Sequence, residues 1–225
     1  MKRAVLFDWR GTLVVAPGFE DWVRDGLLRC GREAVPALVD ELVARIVESN
    51  GPADRLDTPG IDTDPAFHRS VSLGVLADAG IDDELAEAIY SSESDWRQNP
   101  FAVDAASTIR ALADGGILVG VVSDIHFDIR PAFDALGIGD LIAAYVLSFE
   151  VGAQKPSAAM FDHALASLDL TPQDALFVGD RSGPDGGAVE HGIMTLLLPP
   201  LATPTDSRLS AVTLIVLPDT VDPRA

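Results

Sequence analysis

The sequence predicts an α/β protein with a doubly wound parallel sheet, into which a small all-helical cap subdomain is inserted. Apolar runs of strand length recur along the chain, and they are continuous rather than alternating, as expected of strands buried on both faces of a parallel sheet. Segments with helical periodicity separate most of these runs. The 225 residues suffice for one core domain with a smaller lid, and an apolar content of 48% excludes a disordered chain.

The strands are predicted from short apolar runs, and the core helices from apolar residues spaced three and four apart. The six predicted strands are Ala4–Phe7, Ile117–Val122, Tyr145–Leu147, Ala175–Val178, Thr195–Leu198 and Thr213–Leu217. The predicted core helices are Val103–Ala113, Arg130–Leu136 after an N-cap at Asp128, and Pro156–Leu168. Because strands and helices alternate, we expect helices on both faces of the sheet.

The segment between the first two strands is far longer than a simple crossover needs. It contains three or four amphipathic helices, marked by Phe19, Trp22, Val23 and Leu27, by Leu38, Leu42 and Ile46, by Phe67, Val71 and Val75, and by Leu85 and Ile89. We therefore assign residues 16–99 to a helical cap and residues 1–15 and 100–225 to the α/β core. A frayed tail is expected after Pro218.

Composition limits the partners and the compartment. The formal net charge of −19 and the pI near 4.3 disfavour nucleic acid and anionic membranes, because such a chain repels polyanions. No run of eighteen apolar residues occurs, so no membrane span is expected. A single cysteine, Cys30, excludes a disulfide framework and suits the reducing cytoplasm. The oligomeric state is left open.

Polar residues follow three of the predicted strands directly. Asp8, Ser123 and Asp180 come at the carboxyl ends of these strands, where doubly wound sheets bind their ligands. Asp185 adds a third carboxylate nearby. Clustered carboxylates repel one another unless a hard cation holds them, and Mg²⁺ combines one or two carboxylates with water and a substrate phosphate. The residues alone thus predict a magnesium site for an anionic substrate.

These residues belong to a larger pattern that resembles the haloacid dehalogenase superfamily. The four segments that carry the resemblance are Phe7-Asp8-Trp9-Arg10-Gly11-Thr12, Val122-Ser123, Lys155-Pro156 and Val178-Gly179-Asp180 with Asp185 downstream. Their order and spacing are similar to those of the family's four motifs, and so is the helical cap after the first one. The resemblance implies a Rossmann-like core and a hydrolase, most directly a Mg²⁺-dependent phosphatase acting on a small phosphorylated metabolite.

The resemblance also implies roles for the catalytic and substrate-binding residues. Asp8 is expected to attack phosphorus and form an aspartyl-phosphate that water then hydrolyses. Ser123 is expected to hydrogen-bond a phosphoryl oxygen, with Asp124 beside it in the substrate site. Lys155 is expected to neutralise the charge that develops on the transferring group. It is one of only two lysines in the chain.

The implied metal site combines side chains with one main-chain group. Asp8 and Asp180 are expected to bind Mg²⁺, together with Asp185 and the backbone carbonyl of Arg10. A backbone carbonyl is available from any residue type, so the arginine at position 10 leaves this expected site intact.

The arginine itself departs from the family pattern, which usually has aspartate at position 10 as general acid and base. A guanidinium holds its proton at neutral pH and does neither well, whereas such help is typically worth about 10²–10⁴-fold in rate. Arg10 therefore leaves open whether the general acid is impaired, is supplied from elsewhere, or has been replaced by an anion clamp. A non-catalytic binding protein and a metal-free 2-haloacid dehalogenase remain the alternative functions.

The histidines carry no recognisable signal. His68, His126, His163 and His191 lack the spacing of known metal-binding motifs, so each is expected at the surface or in a local structural role.

Overall fold

A five-stranded parallel sheet lies at the centre of the computed structural model, which describes residues 2–218. The strands are β1 Ala4–Phe7, β2 Leu118–Ser123, β3 Ile142–Leu147, β4 Ala175–Gly179 and β5 Met194–Leu197. Their spatial order is β3-β2-β1-β4-β5, and every neighbouring pair is parallel. The predicted fold class is confirmed. The tail expected after Pro218 lies outside the described residues.

Helices connect the strands and cover the sheet. In chain order they are α1 Phe19–Arg29, α2 Pro36–Asn50, α3 Pro65–Asp78, α4 Asp83–Glu93, α5 Ala105–Asp114, α6 Arg130–Ala135, α7 Ser148–Val151, α8 Ala158–Ser167 and α9 Ser210–Val216. Among residues 2–218, no helix is both long enough and apolar enough to cross a membrane.

The sheet is buried on both faces, and the central strand shows how its residues divide between them. Val5 and Phe7 of β1 pack into a layer that includes α5 and α9, while Ala4 and Leu6 pack into the opposite layer with α8. All four residues are fully buried. Continuous apolar strands are the expected sequence signature of a sheet with helices on both sides.

The helices α1 to α4 fill the insertion between β1 and β2, and we refer to them as the cap helices. They share an apolar core of their own, to which Val23, Ile46, Val75 and Ile89 each contribute a buried side chain. Their helical spacing in the sequence anticipates this packing. Phe67 differs, because its side chain is 42% exposed and lies outside that core.

Two chain segments connect the cap helices to the sheet, and they run side by side. The Val15 N–H donates to the Pro100 carbonyl at 2.9 Å, and Val14 forms an antiparallel bridge with Phe101. The domain boundaries near residues 15–16 and 99–100 stay a prediction, and this crossing is where the chain enters and leaves the helical insertion.

The predicted sixth strand, Thr213–Leu217, is wrong, because this segment belongs to helix α9. Val212 and Val216, four residues apart, are buried, whereas Leu214 between them is 53% exposed. Side chains four residues apart lie on the same face of a helix, so this burial pattern is that of a helix with one buried face. A short, wholly apolar run has no periodicity of its own, so its sequence does not distinguish a strand from a helix.

Candidate active site

The candidate site lies at the carboxyl edge of the sheet, where β1, β2 and β4 end side by side. Asp8 directly follows β1, Ser123 is the last residue of β2, and Asp180 directly follows β4. The Asp8 N–H donates to the Val178 carbonyl at 2.8 Å, which fixes the start of the loop after β1. Strand order changes direction at β1, and such a switch point forms a ligand-binding crevice.

Lys155 contacts the nucleophile that the sequence predicts. Its ammonium lies 2.5 Å from Asp8 Oδ1 and 2.7 Å from Asp185 Oδ1, and its side chain is fully buried. Burial lowers the pKa of Lys155, but the charges of Asp8, Asp124 and Asp185 outweigh it and raise that pKa above its usual range. The ammonium therefore stays charged at neutral pH.

The Asp8 carboxyl depends on this cation. Burial raises the pKa of Asp8, and Lys155 opposes that shift. The other carboxylate oxygen, Oδ2, lies 3.3 Å from the Thr12 hydroxyl. The pKa of Asp8 stays above its usual value, because burial outweighs the ammonium of Lys155. The ammonium nevertheless favours the ionised form, in which a carboxylate can act as a nucleophile.

Asp185 orients the Lys155 ammonium and the loop after β4 through hydrogen bonds. Its Oδ1 accepts from Lys155, while its Oδ2 accepts from the backbone N–H groups of Asp180 at 3.0 Å and Arg181 at 2.9 Å. One carboxylate thereby fixes the ammonium and the loop after β4 together.

Asp180 is the carboxylate with the greatest freedom to bind a cation. Within the described part of the chain its side chain accepts one hydrogen bond, from Thr12 Oγ1 at 3.1 Å. Burial, and then the charges of Asp8 and Asp185, raise the pKa of Asp180 to about 6. The ligand oxygens of these three carboxylates lie within 4.8 Å of one another. An all-oxygen set of mutually repelling carboxylates fits a hard divalent cation such as Mg²⁺.

Glycine at position 11 allows the loop after β1 to lie against Asp180. Gly11 has φ of +80°, and a Cβ atom there would lie 2.4 Å from Asp180 Oδ2. Any other residue would be strained in this conformation and would also displace the carboxylate.

The second and third sequence motifs meet through Asp124. Its Oδ1 accepts from the Lys155 N–H at 2.8 Å, and its Oδ2 lies 3.4 Å from Arg181. Ser123, the residue before it, is buried at the end of β2. The structure thus brings Asp8, Ser123 and Lys155 to one edge, and the roles of Ser123 and Asp124 toward a substrate stay predictions.

Arg10 points its guanidinium into the cap helices. Nη1 and Nη2 donate to Glu93 Oε1 and to the Glu93 carbonyl, both at 2.8 Å, and Nε donates to Asn99 Oδ1 at 2.8 Å. These partners are 83 and 89 residues away in the chain, so sequence reasoning missed them. Three donors of the guanidinium are engaged, and it links the core to the cap helices.

A histidine pair that the sequence did not single out lies beside this link. Core residue His126 contacts two carboxylates of the cap region, with Nε2 at 3.1 Å from Glu93 Oε2 and Nδ1 at 3.4 Å from Asp62 Oδ1. His68 of α3 stacks on His126 with ring centroids 3.4 Å apart and an interplanar angle of 12°. Both histidines are buried, so of the two expected settings, the surface and a local structural role, they have the second.

The charges of this cluster follow from its contacts. Burial lowers the pKa of His126, but the Asp62 and Glu93 carboxylates raise it above its usual value. Burial and the neighbouring His126 lower the pKa of His68 to about 4. Burial raises the pKa of Glu93, but Arg10 and then His126 lower it below its usual range. His126 thus bridges two cap carboxylates that favour its protonated form, and a neutral His68 stacks on it.

Asp62, His68 and His126 could be mistaken for a metal site, because one ligand atom from each lies within 4.8 Å of the others. The two rings are nearly parallel, however, so their in-plane lone pairs do not converge on one point. The cluster is therefore better described as an ionic contact between core and cap helices.

The chain matches a family model described as "Hydrolase: haloacid dehalogenase-like hydrolase" over residues 2–189. A relative from Halopiger xanaduensis, named ribulose-1,5-bisphosphate 5-phosphatase, is 27% identical over 207 residues, covering 89% of this chain and 86% of the relative.

Solved structures give the same fold. A 2-haloacid dehalogenase from Pseudomonas syringae has a TM-score of 0.65 at 22% identity, covering 98% of this chain and 100% of that one. A phosphatase of the family from Thermococcus onnurineus has a TM-score of 0.62 at 19% identity, covering 96% of this chain and 98% of that one. Since both identities are low, these two structures support the fold alone.

Proposed function

Because the chain belongs to the haloacid dehalogenase-like hydrolases, we propose that it is a Mg²⁺-dependent phosphatase that hydrolyses a small phosphorylated metabolite in the cytoplasm. The observation that carries the proposal is the buried contact between Asp8 and Lys155 at 2.5 Å, with Asp180 at the next strand end. The phosphatase name of the relative from Halopiger xanaduensis supports the same activity.

In the proposed reaction, Asp8 attacks the phosphorus atom of a monoester and the leaving-group oxygen departs with the electron pair of the P–O bond. Water then attacks the phosphorus of the aspartyl-phosphate, which releases phosphate and regenerates Asp8. Lys155 would balance negative charge on the transferring phosphoryl group, and Ser123 would donate a hydrogen bond to one of its oxygens.

Asp8, Asp180 and the backbone carbonyl of Arg10 would hold the cation. When bound, Mg²⁺ would supply positive charge beside the phosphoryl oxygens. Asp185 would act mainly through its existing hydrogen bonds, because its two oxygens already accept from Lys155 and from two backbone N–H groups.

Arg10 determines which leaving groups suit this site. Its guanidinium can neither protonate a departing oxygen nor activate water, and it is bound to Glu93 and Asn99. Leaving groups that are weak bases need little protonation, so kcat/KM should fall steeply as leaving-group pKa rises.

The test is phosphate release from p-nitrophenyl phosphate and acetyl phosphate, with Mg²⁺ and with EDTA. We expect metal-dependent release that Asp8→Asn abolishes, while Asp114→Asn, at an exposed position near the end of α5, leaves it unchanged. Halide release from a 2-haloacid in EDTA would instead show a dehalogenase. No turnover of either kind, with Asp8 unmodified by fluoroberyllate, would show a non-catalytic binding protein.

A further inference from the structure

A cavity of about 200 Å³ extends from the carboxyl edge of the sheet into the interior of the cap helices. Much of its wall is apolar, formed by Phe19, Trp22, Ile46, Leu56, Leu76 and Ile89. Three of these side chains, Ile46, Leu76 and Ile89, also belong to the buried core that the cap helices share. The cavity therefore presents a large apolar surface to whatever enters it, and His68, Ser72 and Tyr90 add polar atoms to its lining.

The cavity adjoins the site described above. Arg10 and Asp124 line it, and Asp124 Oδ1 accepts from the backbone N–H of Lys155, whose ammonium contacts Asp8. A phosphate ester with its phosphorus at Asp8 would therefore direct its leaving group toward the cavity, in which the apolar wall would surround it.

The charges around the cavity disfavour a second anionic group on the substrate. Among the described residues that line it, Arg10 is the sole arginine or lysine, and its guanidinium already binds Glu93 and Asn99. The carboxylates of Asp62, Glu93 and Asp124 line it as well. A second phosphate or a carboxylate would meet these negative groups without a free cation.

We propose that the substrate is a monoester with one phosphate and an apolar leaving group, aryl or medium-chain alkyl, which the cap cavity encloses. The inference rests on the proposed phosphatase function, and it names the class of ester that this chain selects. Bisphosphates and polar sugar phosphates should be poorer substrates, because neither matches the apolar wall.

Binding should strengthen with leaving-group size until the cavity is full. Burying one methylene group is worth about a fourfold gain in affinity. Ethyl, butyl and hexyl phosphate have leaving groups of similar basicity, so their kcat/KM values report the apolar contact. We expect a rise along this series, with glycerol 3-phosphate and fructose 1,6-bisphosphate below hexyl phosphate. A flat series, or a preference for either polar ester, would overturn the inference.

A pair of variants on α2 locates the contact. Ile46→Phe adds volume to the cavity wall and should flatten the dependence on chain length. Val47→Phe makes the same kind of change at a neighbouring side chain that is 52% exposed and outside the cavity, and it should keep the dependence. Equal chain-length dependence in both variants would contradict the assignment of the cavity. Thermal melting of both variants is the control for correct folding.

Binding of alkylphosphonates, which cannot be hydrolysed at carbon–phosphorus by this reaction, separates the two proposals. We expect calorimetry with Mg²⁺ to show tighter binding of hexylphosphonate than of ethylphosphonate. If this binding preference is found but no ester is hydrolysed, the proposed apolar binding site stands and the proposed phosphatase activity is refuted. If acetyl phosphate is hydrolysed but hexylphosphonate binds no more tightly than ethylphosphonate, the proposed phosphatase activity stands and the proposed apolar binding site is refuted.

Discussion

The contact between Arg10 and Glu93 should make a measurable contribution to stability. Two guanidinium nitrogens donate to Glu93 at 2.8 Å each, and the two side chains are 22% and 13% exposed. Arg10→Met would leave a largely buried carboxylate whose remaining ionisable partner is His126. Breaking a buried ion pair typically costs about 3–5 kcal/mol, and the contact with His126 reduces the expected cost to about 2–3 kcal/mol.

The measurement is a double-mutant cycle by urea unfolding near pH 7, with Arg10→Met, Glu93→Gln and the double variant. Glu93→Gln removes the negative charge that Arg10→Met would leave without its guanidinium partner. The double variant should therefore lose less unfolding free energy than the two single variants lose together. We expect an interaction free energy of at least about 1.5 kcal/mol.

A second cycle on the surface of α1 provides the control. Arg24 and Glu20 form an ion pair one helical turn apart, with side chains 47% and 61% exposed. Exposed pairs of this kind contribute about 0.3–0.5 kcal/mol. An Arg10–Glu93 interaction no larger than that of the control pair would refute the view that Arg10 links the core to the cap helices.

Three further predictions concern the site and the histidine pair. Lys155→Met should lower kcat/KM for acetyl phosphate by at least about 10²-fold, with Lys2→Met, the other lysine, unchanged. Asp180→Ala should abolish the Mg²⁺-dependent binding of fluoroberyllate in calorimetry, and Asp114→Ala should not. The pKa of His68 falls from 6.5 in the unfolded chain to about 4 in the folded protein. Between these two pH values the unfolded chain binds more protons than the folded protein, so the free energy of unfolding decreases as the pH is lowered from 6.5 to 4. Urea unfolding at pH 7 and at pH 4 measures this decrease, and His68→Gln should make it smaller by up to about 3 kcal/mol. An unchanged pH dependence of stability in this variant would contradict the lowered pKa of His68.

The parts of the site that the sequence predicts are those fixed by local pattern. Asp8, Ser123 and Asp180 each follow a buried strand, and parallel strands necessarily end at a common edge. The position of a strand end is therefore enough to bring such residues together. The helical spacing of the cap segments likewise anticipates which side chains pack inward.

The parts that the sequence does not predict depend on pairing between distant segments. Arg10 finds Glu93 and Asn99, and His126 finds Asp62 and Glu93, only because α4 and the loop before α3 lie over the sheet edge. Nothing in the spacing of these residues signals the contact. Helix α9 differs from the predicted strand for another reason, since a short apolar run suits either structure.

Two independent features of the chain favour the same chemical class of substrate. In the proposed reaction Arg10 stands where the family resemblance implies a general acid, and it binds Glu93, so esters whose leaving group departs without a proton should have the advantage. Much of the cavity wall beside it is apolar, and the wall also carries three carboxylates, so uncharged, apolar leaving groups should have the advantage there. An aryl ester meets both conditions, because phenolate is a weaker base than an alkoxide and carries an apolar ring. An alkyl alcohol meets only the second, and a sugar meets neither. Among monoesters of similar size, aryl phosphates should therefore be the best substrates of this protein.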